Sequence, residues 1–404
     1  MNKNMIAEGT TMGATTYSHK EHTTAVAPFH SHFFESLHKE QWQEVRLGEI
    51  AEIKTGKGNV QDSVNDGVYP FFDRSQKIKK SHKFIFDSEA IIVAGEGKDF
   101  IPRYYKGRFD LHQRCYAIFN VMQNAKYIYY AIYNQKDVFK SIAVGSTVMS
   151  LRLNHFTDFT IPLPPLKVQQ QIAEILSSFD DKIDLLHGQN KTLESLALTL
   201  FRHYTTNKEL DSVIGDIVSL QAGFAFKSKD FQNFGNNKII KIKNIQNSII
   251  DILNTDFVGE NIVNSLDNKF KILSGDILFG MTGAEIGKMG IVPQNNNSLW
   301  LNQRVGVLRE KVGNTKFLAY LQLTSEIGFD YIINAASGSA QPNISAKDIE
   351  NCPFYSLSTK ELFSLSLQIK PLFDKIIQNL GIILSLQQMR DMLLSEILND
   401  KMGV

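Results

Sequence analysis

The sequence predicts an α+β protein: two α/β globular domains in tandem repeat, separated by two long helices that form an antiparallel coiled coil. Three observations carry this. Short motifs of the first half return in the same order in the second. Each half ends in a long stretch of helical periodicity. Each of those stretches carries an apolar seam so narrow that only another helix can cover it.

The chain has 404 residues, a length that suggests two or more domains, each able to bury a core. Its net charge is +1, so overall charge does not indicate a nucleic-acid or membrane partner. The two cysteines, Cys115 and Cys352, lack metal or redox spacing and read as reduced, buried thiols of a cytosolic protein. No apolar run reaches the roughly 18 residues of a membrane span, and residues 1–25 lack the apolar core of a secretory signal. Residues 1–40, rich in Thr, Ala, Gly and His, predict a mobile N-terminal tail. Its histidines (His19, His22, His30, His32, His38) have no accompanying Cys and no i, i+4 pair, so no metal site is assigned.

"LHQR" at 111–114 returns as "LNQR" at 301–304, and "VGST" at 144–147 as "SGSA" at 337–340. "IPLPPL" at 161–166 returns as "CPFYSL" at 352–357, and "FDDKI" at 179–183 as "FDKII" at 373–377. The offsets are 190, 193, 191 and 194, and four ordered pairs at nearly one offset are not chance. A fifth pair, "RLGEIAEI" from Arg46 and "VIGDIVSL" from Val213, has an offset of 167. The change of offset is read as an insertion of about 23 residues in the first half, between positions 50 and 110. The domains are then 41–160 and 208–351, with spacer helices over 161–207 and 352–404. "KFIFDSEAIIVAGEG" and "KILSGDILFGMTG" read as β-runs broken by turns. "YIYYAIYNQKDVF" and "TKFLAYLQLTSEIGFDYII" read as amphipathic helices lying on those sheets.

The first spacer helix carries Ile172, Leu176, Phe179, Ile183, Leu186, Asn190, Leu193, Ala197 and Leu200 at alternating steps of 4 and 3. That is a heptad seam. Pro165 suits the first helical turn, where a missing N–H costs nothing. The second helix carries Phe373, Ile377, Leu380, Leu384 and Gln387, then Leu394 and Leu398, with Asp391 also falling on the seam. Pro371 predicts a kink or a late helix start. Asn190 on the seam predicts a register pin facing the second helix, so Asn190→Leu is expected to loosen specificity without weakening the fold.

At these residues the chain resembles a known family. "PLPPLKVQQQIAEILSSFDDKIDLLHGQNKTLESLALTLF" is similar to the helical region of type I restriction–modification specificity (HsdS) subunits. "WQEVRLGEIAEIKTGKG" (42–58) and "SVIGDIVSLQAGFAF" (212–226) look like the openings of that family's two target-recognition domains. "GDILFGMTGAEIGKMGIV" (275–292) and "GSAQPNIS" (338–345) look like its internal and closing motifs. The first half departs from the pattern with "GSTVMSLR", and the second helix lacks the "PLPP…Q" entry. The resemblance implies a subunit that reads a split double-stranded DNA sequence, one half-site per domain. It implies helices that set the gap and dock two methyltransferase subunits. It also implies restriction–translocase partners, a bacterial or archaeal cytoplasm, and no membrane. The cofactors it implies, S-adenosylmethionine, ATP and magnesium, belong to the partner subunits and not to this chain.

The chain's own chemistry agrees with a binding role. An adenine methyltransferase needs an Asn/Asp-Pro-Pro-aromatic motif to hold the flipped base; Pro164-Pro165 lies between Leu163 and Leu166 instead. "AGEGKDF" supplies only Gly95 and Gly97 of a nucleotide loop. "GAEIGKM" (283–289) has one residue too few between its glycines and Met289 where Ser or Thr would bind magnesium. No catalytic or metal constellation stands out. Two other readings stay open: a tandem protein-interaction adaptor without DNA binding, and an enzyme with an unrecognised site.

For DNA, charge matters locally. Residues 41–160 hold 17 Lys+Arg against 13 Asp+Glu, whereas residues 208–350 hold 14 against 15. The candidates are therefore clusters: Arg74, Lys77, Lys79, Lys80 and Lys83 in "DRSQKIKKSHK", and Lys238, Lys241 and Lys243 in "KIIKIKN". The alternating spacing of Lys241 and Lys243 predicts one strand face. Arg114 and Arg304, each after a glutamine (Gln113, Gln303), fit phosphate contact or fold support better than base choice, because they recur in both halves.

Overall fold

The computed structural model describes Leu37, residues 41–336 and residues 343–399. The tail 1–40 (Leu37 apart), its histidines, and 337–342 of the closing motif lie outside the described residues. The chain divides into two compact units: residues to Ile175 together with those from Leu393, and Leu176–Met392.

Among the described residues, the first unit is built on eight strands. They are β1 (Gln43–Arg46), β2 (Glu52–Thr55), β3 (Tyr69–Phe72), β4 (Lys79–Ser81), β5 (Phe86–Ala94), β6 (Arg103–Leu111), β7 (Cys115–Phe119) and β8 (Thr160–Leu163). β1 and β8 pair antiparallel, and the others form one sheet in the order β2-β7-β5-β6-β3-β4, parallel only at β3–β6. "AIIVA" of β5 is buried at every position, so it reads as a run and not as an alternation. Helix α1 (Ala125–Asn134) starts where the Asn124 side chain accepts from the amide of Tyr127 at 2.9 Å. It buries Tyr127, Ile128, Ala131 and Ile132. α2 (Lys136–Ile142) is anchored by Phe139, stacked 4.4 Å from Phe159.

The second unit repeats this plan with more strands. These are β9 (Ser212–Val213), β10 (Val218–Ala222), β11 (Phe231–Gln232), β12 (Asn237–Ile240), β13 (Ile245–Gln246), β14 (Ile249–Ile250), β15 (Asp256–Val258), β16 (Lys271–Ile272), β17 (Ile277–Gly280), β18 (Met289–Ile291), β19 (Ser298–Leu301), β20 (Val305–Glu310) and β21 (Pro353–Phe354). Two sheets result, β10-β20-β17-β18-β14-β13 and β11-β15-β12-β19-β16, while β9 pairs with β21 as β1 does with β8. The backbone bonds show the repeat directly. Gly56 N donates to Cys115 O as Gly223 N does to Val305 O, and Gly58 N to Leu111 O as Phe224 N does to Leu301 O. Gln113 N donates to Gly58 O as Gln303 N does to Phe224 O. Leu47 N donates to Phe159 O as Ile214 N does to Cys352 O.

These anchors correct the expected insertion. The offset grows from 167 to 190 along the chain, so the stretch from Gly223 to Leu301 is the longer one, by about 23 residues over that from Gly56 to Leu111. The additional residues lie in the second half, where they build the extra short strands.

Helix α3 spans Leu166–Thr205. The carbonyl of Pro165 accepts its first bonds from Val168 and Gln169, and Asn207 beyond it has φ 62°, a left-handed stop. Buried Gln169 ties its start to the first domain. The side chain accepts from Asn124 N (3.0 Å) and donates to Pro164 O (2.8 Å) and Gln123 Oε1 (3.0 Å). After α4 (Lys316–Leu323) and α5 (Glu326–Ala336), helix α6 spans Thr359–Asn399. It opens differently, with Ser358 and Glu361 bonding each other's backbone and side chain.

In the second unit α3 and α6 run antiparallel. Asp180 pairs with Arg390 (2.5 Å), Asn190 with Asn379 (2.8 Å), Tyr204 with Ser364 (3.3 Å) and Lys208 with Glu361 (2.5 Å). Along α3, Ile172, Leu176, Ile183, Leu186 and Ala197 are buried, and Phe179, Asn190, Leu193 and Leu200 partly so. α6 departs from the expected seam. Its buried apolar positions up to Ile383 are Leu362, Leu365, Ile369, Phe373, Ile376, Leu380 and Ile383, while Ile377, Leu384 and Gln387 are only partly buried; the expected Leu394 and Leu398 are buried. The cause is a second neighbour. α4 is buried from Phe317 to Leu323, and its Phe317 and Tyr320 rings pack on Phe373 at 4.4 and 5.6 Å. A helix covered on two sides needs a wider apolar face than a coiled-coil seam. Pro371 does not delay the helix, which begins well before it, and its ring faces solvent. Asp391 is exposed beside Arg390.

The partner of Asn190 is Asn379, fully buried, which also donates to Gln189 Oε1 at 2.8 Å. This alters the Asn190→Leu expectation. Removing the acceptor strands part of a buried amide, which costs about 1–3 kcal/mol. Replacing both amides by leucine restores or exceeds wild-type stability. Denaturant unfolding of the single and double variants checks this; a single variant as stable as wild type contradicts it.

Candidate nucleic-acid interface

In the first domain β3 ends at Phe72, and its last residues pair with Asp110 and Leu111 at the end of β6. The loop that follows β3 is held from below. Arg103 donates to Asp73 O (2.7 Å) and Ser75 O (2.8 Å), with its guanidinium 5.0 Å from the Phe72 ring centroid. Asp73 accepts from Ser75 and pairs with Lys79 at 2.7 Å. Burial works to raise the Asp73 pKa, but the hydrogen bonds of Lys79 and Ser75 outweigh it and hold the carboxyl below its ordinary range. Lys77 and Lys80 are exposed, and Lys83 pairs with Asp62 at 3.5 Å.

The "LHQR" turn follows β6. His112 is buried, and its Nδ1 accepts from the amide of Arg114 at 3.0 Å. Burial, then the charge of Arg74, lowers its pKa, which keeps this acceptor neutral. Gln113 bonds Asn59 at 2.6 Å. Arg114 meets Glu96 at 2.6 Å, and Arg74 meets the same carboxylate at 3.1 Å. The structure thus brings Arg74 and Arg114 together, 40 residues apart in sequence, on one acid.

The second domain builds the same place from equivalent backbone. Asn302 N donates to Ile240 O as His112 N does to Phe72 O. Arg304 O accepts from Met281 N as Arg114 O does from Gly95 N. The bridge Thr282–Asn343 matches Glu96–Ser150. Lys241 and Lys243 therefore occupy the loop that Asp73–Ser75 occupies in the first domain. Strand β12 stops at Ile240, so these lysines do not share a strand face; Lys241 precedes a 3-10 turn, Lys243 lies within it, and both converge on Asp256, each at 3.0 Å. Burial works to raise the Asp256 pKa, but the two lysines outweigh it and hold it low. Lys241 also lies 3.8 Å from the centroid of Phe231. Around them opens a cleft of about 700 Å³ (710 Å³), lined by Phe231, Lys241, Lys243, Thr282, Arg304 and Asn343 among others.

Lys238 is absent from this cleft. It points to the other side of β12 and donates to Ile252 O at 2.8 Å, and burial lowers its pKa. Asp73, Glu96, Thr282, Asp256 and Asn343 belong to this candidate site and were not singled out by sequence reasoning. The repeat held a signal for two of them, since aligning the halves on their backbone places Glu96 opposite Thr282. Among the described residues no cluster of His, Cys, Asp or Glu is placed to hold a metal, and no helix is long and apolar enough to cross a membrane. Cys115 and Cys352 are buried and free, and burial pushes each thiol up to about 12.

Two copies of one β-rich domain, each followed by a long helix and each carrying basic side chains at the same backbone place, define a two-headed recognition scaffold. Residues 39–195 and 209–355 each match the type I restriction modification DNA specificity domain, so the chain belongs to that family. It is a DNA specificity subunit with two target-recognition domains, the non-catalytic component of a type I restriction–modification system. It is 23% identical to the EcoDI specificity subunit of Escherichia coli over 82% of this chain and 81% of that one. It is 27% identical to the MjaVIII specificity subunit of Methanocaldococcus jannaschii over 76% and 80%. The crystal structure of the S subunit from M. genitalium shares the fold, with a TM-score of 0.53 at 18% identity, covering 88% of this chain and 96% of that one.

Proposed function

We propose that each recognition domain reads one half of a bipartite DNA target through the interface described above. α3 and α6 set the distance between half-sites and dock two methyltransferase subunits. The assembled complex methylates adenine with S-adenosylmethionine and, with ATP- and magnesium-dependent restriction–translocase subunits, cuts unmodified DNA in the cytoplasm of its host. The observation that carries this reading is the recurrence of one backbone frame with different side chains on it. In the second domain Lys241 and Lys243 stand where the first has Asp73 and Ser75, and Thr282 where it has Glu96, while Arg304 repeats Arg114; the first domain draws its other cations from Arg74 and Lys79, as two readers of different half-sites require. Lys77 and Lys80 add phosphate contacts. The domain bounds 41–160 and 208–351 follow from the same repeat.

A map of methylated adenines in cells with and without this gene tests the reading. Loss of one gapped, asymmetric motif on deletion is the expected result. An unchanged map, with the methyltransferase partner expressed, overturns it.

A further inference from the structure

The two copies of the frame differ at one position in a way that changes what their shared arginine can do. In the first domain Glu96, with 17% of its side chain exposed, holds Arg114 and Arg74, whose side chains are 59% and 46% exposed. In the second domain that place is Thr282, and Arg304 forms no ion pair among the described residues. A carboxylate amid cations opposes phosphate binding, because each guanidinium must be withdrawn from it before it can neutralise a phosphate fully. Such an acid is useful where the guanidinium must be aimed. A charge-assisted bond tethers it from one side, and Arg114 spends only Nη1 on Glu96, with no bond from Nε or Nη2 among the described residues. Arg74 is fixed from the other side by the loop that Arg103 supports. A guanidinium tethered through one nitrogen with its Nε–Nη2 edge unbonded matches the O6 and N7 acceptors of guanine in the major groove.

Resting on the half-site reading above, we propose that Glu96 is a positioning residue for specificity: it aims Arg114 at a guanine, so the first domain's half-site contains a G·C pair that Arg114 reads. Arg304 shares its cleft with Glu285, which pairs with Lys288 and not with the arginine, and it clamps phosphate. The same arginine in the repeated turn thus has two jobs, set by one neighbour.

The test is Glu96→Gln, which keeps the shape and removes the charge, in the complete complex with its methyltransferase partner. Wild type is expected to give a gapped motif with a G·C pair in one half. The variant is expected to lose discrimination at that pair by about tenfold or more, with the other half unchanged. A wild-type motif lacking a G·C pair in the affected half, or a variant motif identical to wild type, overturns the proposal. A wild type with no gapped motif overturns the half-site reading itself. Should the variant not methylate, binding to non-target duplex decides. Freed guanidinium groups steepen the salt dependence by up to about two counter-ions, and an unchanged slope overturns the proposal.

Discussion

Inserting four residues into α3 between Asp181 and Lys182, matched by four in α6 between Gln388 and Met389, is expected to lengthen the gap in the DNA target by about two base pairs. Four helical residues add about 6 Å, and each base pair spans about 3.4 Å. The matching insertion follows from the antiparallel register. Asp180–Arg390 lies on one side of the insertion and Asn190–Asn379 on the other, so both pairs survive it. An insertion in α3 alone displaces one set of partners by about one turn and strands the buried amide of Asn379. The expected result there is loss of the stable helix pair, not a longer gap. Methylome mapping reads the gap directly, and a matched insertion that leaves it unchanged refutes the spacer role of the helices.

The second large effect is expected at the glycines that open each domain's frame. A Cβ on Gly56 would lie 1.9 Å from the carbonyl oxygen of Leu111, and one on Gly223 would lie 2.3 Å from that of Asn302. Both obstacles are backbone, and both belong to the turn that carries the shared Gln-Arg pair. Relief requires the strands to part, so Gly56→Ala or Gly223→Ala is expected to cost on the order of 4 kcal/mol or more. Each should abolish recognition by its own domain. The contrasting site is Gly188, exposed on α3 with nothing within 4 Å of an added Cβ. Gly188→Ala is expected to stabilise by about 0.5–1 kcal/mol through helix propensity. Thermal melts of the three variants check the ordering; tolerance of alanine at Gly56 and Gly223 would contradict it.

Much of this was legible beforehand for a local reason. "LHQR" and "LNQR" recur because the same backbone turn needs the same residues. The stripe from Ile172 to Leu200 is legible because helical period and burial write themselves into spacing. α6 was less legible. Its apolar face serves two neighbours, and the spacing does not say which neighbour each residue meets. Ile376 and Ile383 are therefore the buried positions beside Phe373 and Leu380, with Ile377 and Leu384 at the edge.

By itself, the sequence determined that this protein is a repeat, that each half closes with a long helix, and that the first helix has an amide on its seam. Tertiary structure alone decided that Asn379 is that amide's partner, that Lys238 turns away from Lys241 and Lys243, and that Glu96 gathers Arg74 and Arg114. The physical reason is common to all three. Periodicity records which face of an element is covered, whereas the identity of what covers it depends on chain segments from about 20 to 190 residues away, brought together only by folding.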